Sequence, residues 1–468
     1  MCVFRLWIIG FSSPEFSSTD NPIAHHPSAF VRCLTFLYLP IFHLLLLALP
    51  YNLCFDWSMD AIAPVESLFD SRFLFALLCY AVLVLGTFRL IASLELFSSA
   101  SPISESECRC ESRSPSPKFD INANIIRHRR RTRATNLNDG RHQSFEQSEP
   151  KCNTMSNGSD ELSESAQWLV GIAFLAAPHV PASNLFVYVG FVAAERILYL
   201  PSVGFCILVT LAIDRFYKWA RIGQRTRMSV LVLCVCLLLA HTVRLLNRNA
   251  EWSDEEALYR SAVLINPAKA YANLGNVLSR KGQKEEAQHA YRIALEHRPN
   301  MADTHYNLGI LYQDANDFER AISSYRIAII YRPTLASAYL NLGLCLWRQE
   351  KHTLAEEVFG HCFVLDSSRL RNPRGHRSAQ VACAYNLGVM LARLSRHREA
   401  IVAYQRALEL MEENYEGAAS VLNMMGESLS QNGHLDKAEH YFKRALEVAP
   451  SHIPAYLTFS QLRFVMSI

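Results

Sequence analysis

The stretch ADTHYNLGILYQDANDFERAISSYRIAIIYRP, residues 302–333, carries the pattern that decides the fold of this chain. Its Asn-Leu-Gly, residues 307–309, recurs 34 residues earlier and 34 residues later, and once more after a further 45. Ala321, Tyr325 and Ala328 follow the glycine at distances that the other units repeat with small and aromatic residues, and Pro333 closes the unit. Small residues let two helices approach closely and proline ends a helix. The pattern therefore predicts a series of helix pairs.

A period of 34 residues with these positions is typical of tetratricopeptide (TPR) repeats. Five units follow one another, with a half-unit before them (Tyr259, Ala262, Pro267) and a sixth that begins at Ile453. Such an array stacks into a superhelix whose concave wall forms a groove for a peptide. The candidate groove residues are Asn276, Arg280, Asn307, Asn341 and Arg348.

A clamp for the carboxylate of a chaperone tail is one known use of such a groove. Asn276 and Asn307 fit that clamp, but Ala272, Ser337 and Asn341 stand where basic residues are needed. A carboxylate would lack its charge-assisted partners, so we do not expect this use.

Residues 366–380 interrupt the period between the third and fourth units and carry four arginines. We interpret this segment as a solvated loop, with an acidic docking site as the alternative.

The 13 cysteines are scattered along the chain. Their spacing indicates neither a zinc site nor a disulfide framework.

The chain upstream of residue 250 is apolar and predicts a membrane protein. Residues 73–92 and 228–246 approach the roughly 20 residues that a spanning helix needs. The run at 167–181 is shorter, 185–213 is too long for one crossing, and 30–50 is as consistent with an interfacial or re-entrant element as with a span. We therefore expect an all-α fold in which multi-spanning membrane helices precede a TPR α-solenoid. The predicted regions are a lumenal or re-entrant region with the first clear span at 1–95, a disordered polar cytosolic tract at 96–165, membrane helices at 166–250 and the array at 251–468.

Charge bias predicts the orientation. Five basic residues against one aspartate lie between residues 214 and 227, which favours the cytosol for this loop, whereas the loop at 51–72 is acidic. One further crossing then places the array on the lumenal side. A glycan on Asn157, in the only sequon of the chain, would contradict this topology.

Glu195 and Arg196 stand at the start of the crossing that ends at Ile213. A crossing of about 20 residues begins near Ala194, so both charges lie at the lumenal interface. Neighbouring residues on a helix diverge and do not pair with each other, so at least one needs another partner. A lipid-linked phosphate suits Arg196, and water or a neighbouring helix is the alternative partner.

Several strings together resemble one family. They are FSSTDNPIA (16–24), RCLTFLYLP (32–40), CFDWSMDA (54–61) and PASNLFVYVGFVAAERILYLPSVGFC (181–206), followed by NPAKAYANLGNVL (266–278) and NMADTHYNLG (300–309). The chain is similar in these strings to the transmembrane-and-TPR-containing (TMTC) O-mannosyltransferases. The resemblance implies a multi-pass endoplasmic-reticulum membrane enzyme of the multi-spanning (GT-C) type with a lumenal array.

By resemblance, such an enzyme transfers mannose from dolichyl-phosphate mannose to Ser or Thr of secretory-pathway proteins, cadherin domains among them. Its donor phosphate would meet Arg196 and Glu195, and its array would bind the acceptor or an endoplasmic-reticulum folding factor. No metal or cofactor is implied, and a net charge of +3 does not favour nucleic acid.

The resemblance also implies that the acidic catalytic pair lies upstream of this chain, which starts within the family's sequence and stops within a repeat. Asp20, Asp56 and Asp60 are the available substitutes. Asp20 precedes Asn21-Pro22 and is interpreted as a turn residue, while Asp56 and Asp60 are interpreted as residues that orient a lumenal loop. An inactive, membrane-tethered TPR scaffold for lumenal proteins is therefore the alternative function.

Overall fold

The computed structural model describes residues 21–99, 157–182, 189–219, 223–366, 372–412 and 415–467. Within these ranges the regular elements are helices, and one isolated antiparallel bridge joins Trp57 to Ala193. The described residues between Val82 and Val170 belong to one unit, and the rest of the described chain belongs to another. The all-α class expected from the sequence is confirmed.

Five long helices precede the array. They are α1 (Ala29–Ala48), α2 (Ser71–Ser99), α3 (Asn157–Ala176), α4 (Tyr199–Trp219) and α5 (Gln224–Glu251). All but α3 provide a stretch long and apolar enough to cross a membrane, among the residues described. A short 3-10 helix, Glu195–Leu198, leads into α4, and the apolar stretch of this region runs from Glu195 to Lys218. The polar tract predicted at 96–165 is helical at its two ends, and its central part, 100–156, lies outside the described residues.

The predicted repeats are confirmed as helix pairs. The half-unit is α6 (Glu255–Ala262). The five units are α7 (Pro267–Arg280) with α8 (Lys284–His297), α9 (Ala302–Asp314) with α10 (Phe318–Tyr331), α11 (Ala336–Arg348) with α12 (His352–Phe363), α13 (Pro373–Arg393) with α14 (His397–Leu410), and α15 (Ala418–Gln431) with α16 (Leu435–Val448). The sixth unit supplies one helix, α17 (Ile453–Met466).

The glycine of each unit is required because an aromatic ring lies against it. A Cβ on Gly309 would stand 2.6 Å from the ring of Tyr325, which is fully buried. The other four units repeat this contact, with Gly275 against Tyr291, Gly343 against Phe359, Gly388 against Tyr404 and Gly426 against Phe442. The spacing of glycine and aromatic along the sequence is thus the spacing of one contact between the two helices of a unit.

Two expectations about the segment between the third and fourth units are wrong. The predicted solvated loop at 366–380 is helical from Pro373 onward, because α13 begins there with Pro373 in its first turn and Asn372 as its cap. The cysteines also form a disulfide, since Cys362 of α12 is bonded to Cys383 of α13 across a Cα–Cα distance of 6.2 Å. Both cysteines are buried at positions where two helices meet, which their scattered spacing in the sequence did not reveal.

Candidate functional site at the base of the array

Three segments meet where the array leaves the membrane helices. We call them the base: the loop at 51–62, the segment at 189–198 that ends in the 3-10 helix, and residues 244–270. Trp57 donates its backbone N–H to the Ala193 carbonyl at 2.8 Å and accepts the return bond at 3.4 Å. Trp57 is buried, and its ring lies edge-on to Phe42 of α1 at 5.5 Å. The backbone bonds therefore join the first loop to the segment at 189–198, and the Trp57 ring packs the same loop against α1.

Asp56 links the first loop to the array. Its Oδ2 accepts from Lys269 Nζ at 2.8 Å, and Ser58 Oγ accepts from the same ammonium group at 2.7 Å. Asn266 caps α7 and also donates its Nδ2 to the Asp56 and Ser58 carbonyls, at 3.3 and 3.0 Å. The Asp56 side chain is only 8% exposed, so the ion pair replaces lost hydration.

Asp60 makes a second ionic contact between the loop and the array. Arg298 Nη1, at the end of α8, lies 3.0 Å from Asp60 Oδ2. The interpretation that Asp56 and Asp60 orient a loop agrees with these contacts, because both carboxylates face cations of the array. Asp20 lies outside the described residues.

Glu195 and Arg196 diverge, as neighbouring positions were expected to. The Glu195 carboxylate accepts from Arg248 Nε at 3.0 Å and pairs with Arg248 Nη2 at 2.5 Å. Arg248, at the end of α5, is 3% exposed and also bonds Glu251 and Ser261. Charge-assisted bonds of this kind hold the start of α4 against the end of α5.

Arg196 points the other way and is exposed. Its guanidinium lies over the ring of Phe191, 5.1 Å from the centroid, and it forms no ion pair within the described part of the chain. A guanidinium held by a ring yet open to solvent remains able to bind an anion.

Cys54 lies in the middle of the base with no exposed surface. Burial raises the pKa of its thiol to about 11, so the group stays protonated at neutral pH and acts as a small apolar residue.

The three candidate groove asparagines lie in two groups of polar contacts over the first three units. Asn276 Oδ1 accepts from the Tyr291 hydroxyl and from Asn307 Nδ2, each at 2.8 Å. Asn341 Nδ2 lies 3.4 Å from the hydroxyls of Tyr306 and Tyr325. The two candidate arginines belong to neither group: Arg280 pairs with Glu255 of α6, and Arg348 is exposed.

Sequence reasoning missed the residues that hold the base together, namely Lys269, Asn266 and Arg248. Asn266-Pro267 signals a helix start, but nothing in the sequence indicates which loop the asparagine would contact. The tyrosine hydroxyls of the groove were also missed, because Tyr291 and Tyr325 occupy positions that the repeat pattern assigns to packing.

Comparison with known proteins bears directly on these segments. The profile of the family described as "Protein O-mannosyl-transferase TMTC, DUF1736" matches residues 10–84, and tetratricopeptide-repeat profiles match 268–301, 306–359 and 380–451. The chain is 39% identical over 467 residues to human protein O-mannosyl-transferase TMTC2 and 40% identical over 465 residues to Drosophila melanogaster Tmtc1. Each alignment covers 98% of this chain and 53% of the relative, so the chain spans about half the length of these relatives.

The repeats are also similar to a solved structure of MamA, with 25% identity and a TM-score of 0.33 over 39% of this chain and 91% of that one. The resemblance stated from the sequence strings is confirmed by the relatives, which extend over nearly the whole chain. By these matches, the chain belongs to the TMTC family of protein O-mannosyl-transferases.

Proposed function

We propose that the chain is the repeat-bearing part of a protein O-mannosyltransferase that takes mannose from dolichyl-phosphate mannose. The observation that carries the proposal is the identity of about 40% with proteins of that name over 98% of the chain. In this proposal Arg196 binds the donor phosphate. It is an exposed cation in the 3-10 helix just before α4, at the end of α4 that lies nearest the array. Glu195 fixes the start of α4 through Arg248, which turns Arg196 outward.

The array binds the acceptor protein or a folding factor in this proposal, and acceptors are Ser- and Thr-bearing proteins of the secretory pathway such as cadherins. The neutral amides and hydroxyls around Asn276, Asn307 and Asn341 suit an uncharged, extended segment of such a protein. An acidic tail would find no buried cation there.

We place the array in the lumen of the endoplasmic reticulum. Because Glu195 contacts Arg248, the start of α4 and the end of α5 lie together, and with both helices crossing they face the same side of the membrane. The basic turn between these helices then faces the opposite side. Basic turns favour the cytosol. The Cys362–Cys383 disulfide supports the same side, because disulfides persist in oxidising compartments.

Photolabelling in proteoliposomes tests the donor site. A photoactivatable dolichyl-phosphate mannose should label the purified chain, and Arg196→Ala should reduce labelling roughly tenfold or more, since a charge-assisted bond to phosphate contributes about 1.5–3 kcal/mol. Arg225→Ala, a matched exposed arginine at the opposite end of the helix hairpin, should label like the wild type. Equal labelling of wild type and Arg196→Ala would refute the assigned site.

The same preparation separates enzyme from scaffold. Donor labelling together with transfer of radioactive mannose to a cadherin domain supports the transferase. Binding of the cadherin domain without any donor labelling would favour the alternative, a membrane-tethered TPR scaffold.

A further inference from the structure

Helix α1 differs from the other apolar helices in how much of it the protein covers. Its 20 residues have a mean hydropathy of 1.9, the same as the spanning stretch of α2, and its length suits a crossing. Yet half of α1 is buried by the protein, whereas 11% of the α2 stretch, 17% of the α4 stretch and none of the α5 stretch is buried. Length and composition therefore do not settle whether α1 crosses.

The two flanks of α1 are attached to one short segment. Before the helix, Asn21 Nδ2 donates to the carbonyls of Val189 and Phe191, at 2.9 and 3.2 Å. After it, Trp57 bonds Ala193 through the backbone. Val189 and Ala193 are four residues apart, which is about 14 Å at full extension. A perpendicular helix of this length would separate its own ends by about 30 Å of depth.

The middle of α1 also contacts loops on the array side. Thr35 Oγ1, which is fully buried, accepts from the backbone N–H of Val65 at 2.8 Å. Further along, Phe36 and Leu46 belong to the same buried cluster as Leu258, Ala262 and Ala270 of the array. Phe36 and Leu46 are about 15 Å apart along the helix axis. Over that length the buried face of α1 therefore belongs to the same apolar core as the base of the array.

The outer face of α1 has no charged side chain after Arg32. Phe30, Leu45 and Leu49 are 50%, 37% and 70% exposed, and Leu68 and Phe69 of the following loop are exposed as well. The Tyr80 hydroxyl of α2 donates to the Leu37 carbonyl at 2.8 Å. The Cα of Tyr80 lies about 14 Å into the spanning helix, and its side chain reaches back toward the start of that helix, so the contact sets the midpoint of α1 within the outer half of the lipid layer. The acyl chains that surround α2 thus reach the exposed face of α1.

From these contacts we infer that α1 lies along the membrane surface on the side of the array and does not cross the bilayer. Its apolar face rests on the outer part of the lipid layer, as interfacial helices do at a depth of about 5–10 Å. Residues 21–28 and 49–70 then face the same compartment as the array.

Cysteine labelling in sealed microsomes tests this placement. Pro27→Cys and Tyr51→Cys put exposed thiols before and after α1, with Leu264→Cys marking the array side and Arg225→Cys marking the turn between α4 and α5. A membrane-impermeant maleimide is applied before and after detergent, and modified peptides are identified by mass spectrometry. The thiols of Pro27→Cys and Tyr51→Cys should both be modified under the same condition as that of Leu264→Cys, and under the opposite condition from that of Arg225→Cys.

Reaction of Pro27→Cys and Tyr51→Cys from different sides would show that α1 crosses, and reaction of both like Arg225→Cys would place α1 on the wrong face. Either result overturns the inference. If Tyr51→Cys fails to fold, Phe69→Cys reports the same side. As a second measurement, a phospholipid with a diazirine in its acyl chain should label the peptide that contains Leu45 and Leu49 in the wild-type protein. Labelling confined to α2, α4 and α5 would show that lipid does not cover α1.

Discussion

The array and its base are both built from close contacts, but the contacting residues lie at very different separations in the sequence. In the array, Gly309 meets Tyr325 sixteen residues later, and the same contact recurs in every unit. In the base, Lys269 meets Asp56 across 213 residues, and Arg248 meets Glu195 across 53. A short, repeated contact leaves a period in the sequence. A single long-range ion pair leaves only two charged residues with no visible relation.

The largest loss of folding stability is expected from a substitution of Arg248, because several contacts of the base depend on this one residue. Arg248→Ala removes a cation that is 3% exposed and leaves the Glu195 carboxylate, which is 16% exposed, without its partner. Breaking a buried ion pair in this way costs about 3–5 kcal/mol. Thermal unfolding of the full chain in detergent micelles should show a lower melting temperature and earlier proteolysis between α5 and α6.

Arg260→Ala is the control for this prediction, because the exposed side chain of Arg260 pairs with Glu256 one turn earlier in α6. Exposed pairs contribute at most about 1 kcal/mol. Equal destabilisation by the two variants would mean that the base is not a separate point of weakness.

The contrast explains what could be read from the sequence. The 34-residue period predicted every helix pair of the array, because each unit is stabilised by contacts within itself and with its neighbours. It failed at 366–380, where arginines suggested a solvated loop although Asn372-Pro373 provides the cap and first turn of a helix.

The candidate site was predictable in part. Divergence of Glu195 and Arg196 followed from helical geometry, whereas Arg248 as the partner of Glu195 did not. Many charged residues could have filled that role, and only the approach of α5 to the start of α4 selects one. The same limit applies to Asp56, whose partner Lys269 belongs to the first repeat.

The disulfide joins two units where the period is interrupted, so its loss tests the array at its least regular point. The double variant Cys362→Ala, Cys383→Ala opens a loop of 21 residues. A crosslink over a loop of that size contributes about 3 kcal/mol to the free energy of unfolding. Reductant should lower the melting temperature of the wild type and leave that of the variant unchanged, and a reductant effect on the variant would assign the sensitivity to another cysteine.

The repeated contact itself predicts a smaller loss. Gly309→Val would push a branched side chain into the Tyr325 ring, and overpacking of this kind costs about 1–3 kcal/mol. Gly360→Ala is the matched control within the array, since a Cβ there meets nothing within 4 Å, and alanine favours a helix by up to about 1 kcal/mol over glycine. Calorimetry of both variants should therefore give shifts of opposite sign, and a loss of stability in both would mean that the ring contact is not what requires Gly309.

The smallest expected effect is a change in the pH dependence of stability, and it concerns residues 373–380, the N-terminal turns of α13. His376 is buried there, and burial lowers the pKa of its imidazole, although backbone carbonyls at Leu365 and Thr334 and the charge of Asp366 oppose the shift. A lowered pKa means that below about pH 6.5 the unfolded chain binds a proton that the folded chain does not, so stability falls as the pH decreases through this range. Melting temperatures measured from pH 7.5 to 5 should fall less steeply for His376→Gln than for the wild type.

His289→Gln, on the exposed surface of α8, should retain the wild-type slope. Identical slopes for wild type and His376→Gln would show that the N-terminal turns of α13 do not contribute to the acid sensitivity of the array. The regular repeat contacts would then account for its stability in that pH range.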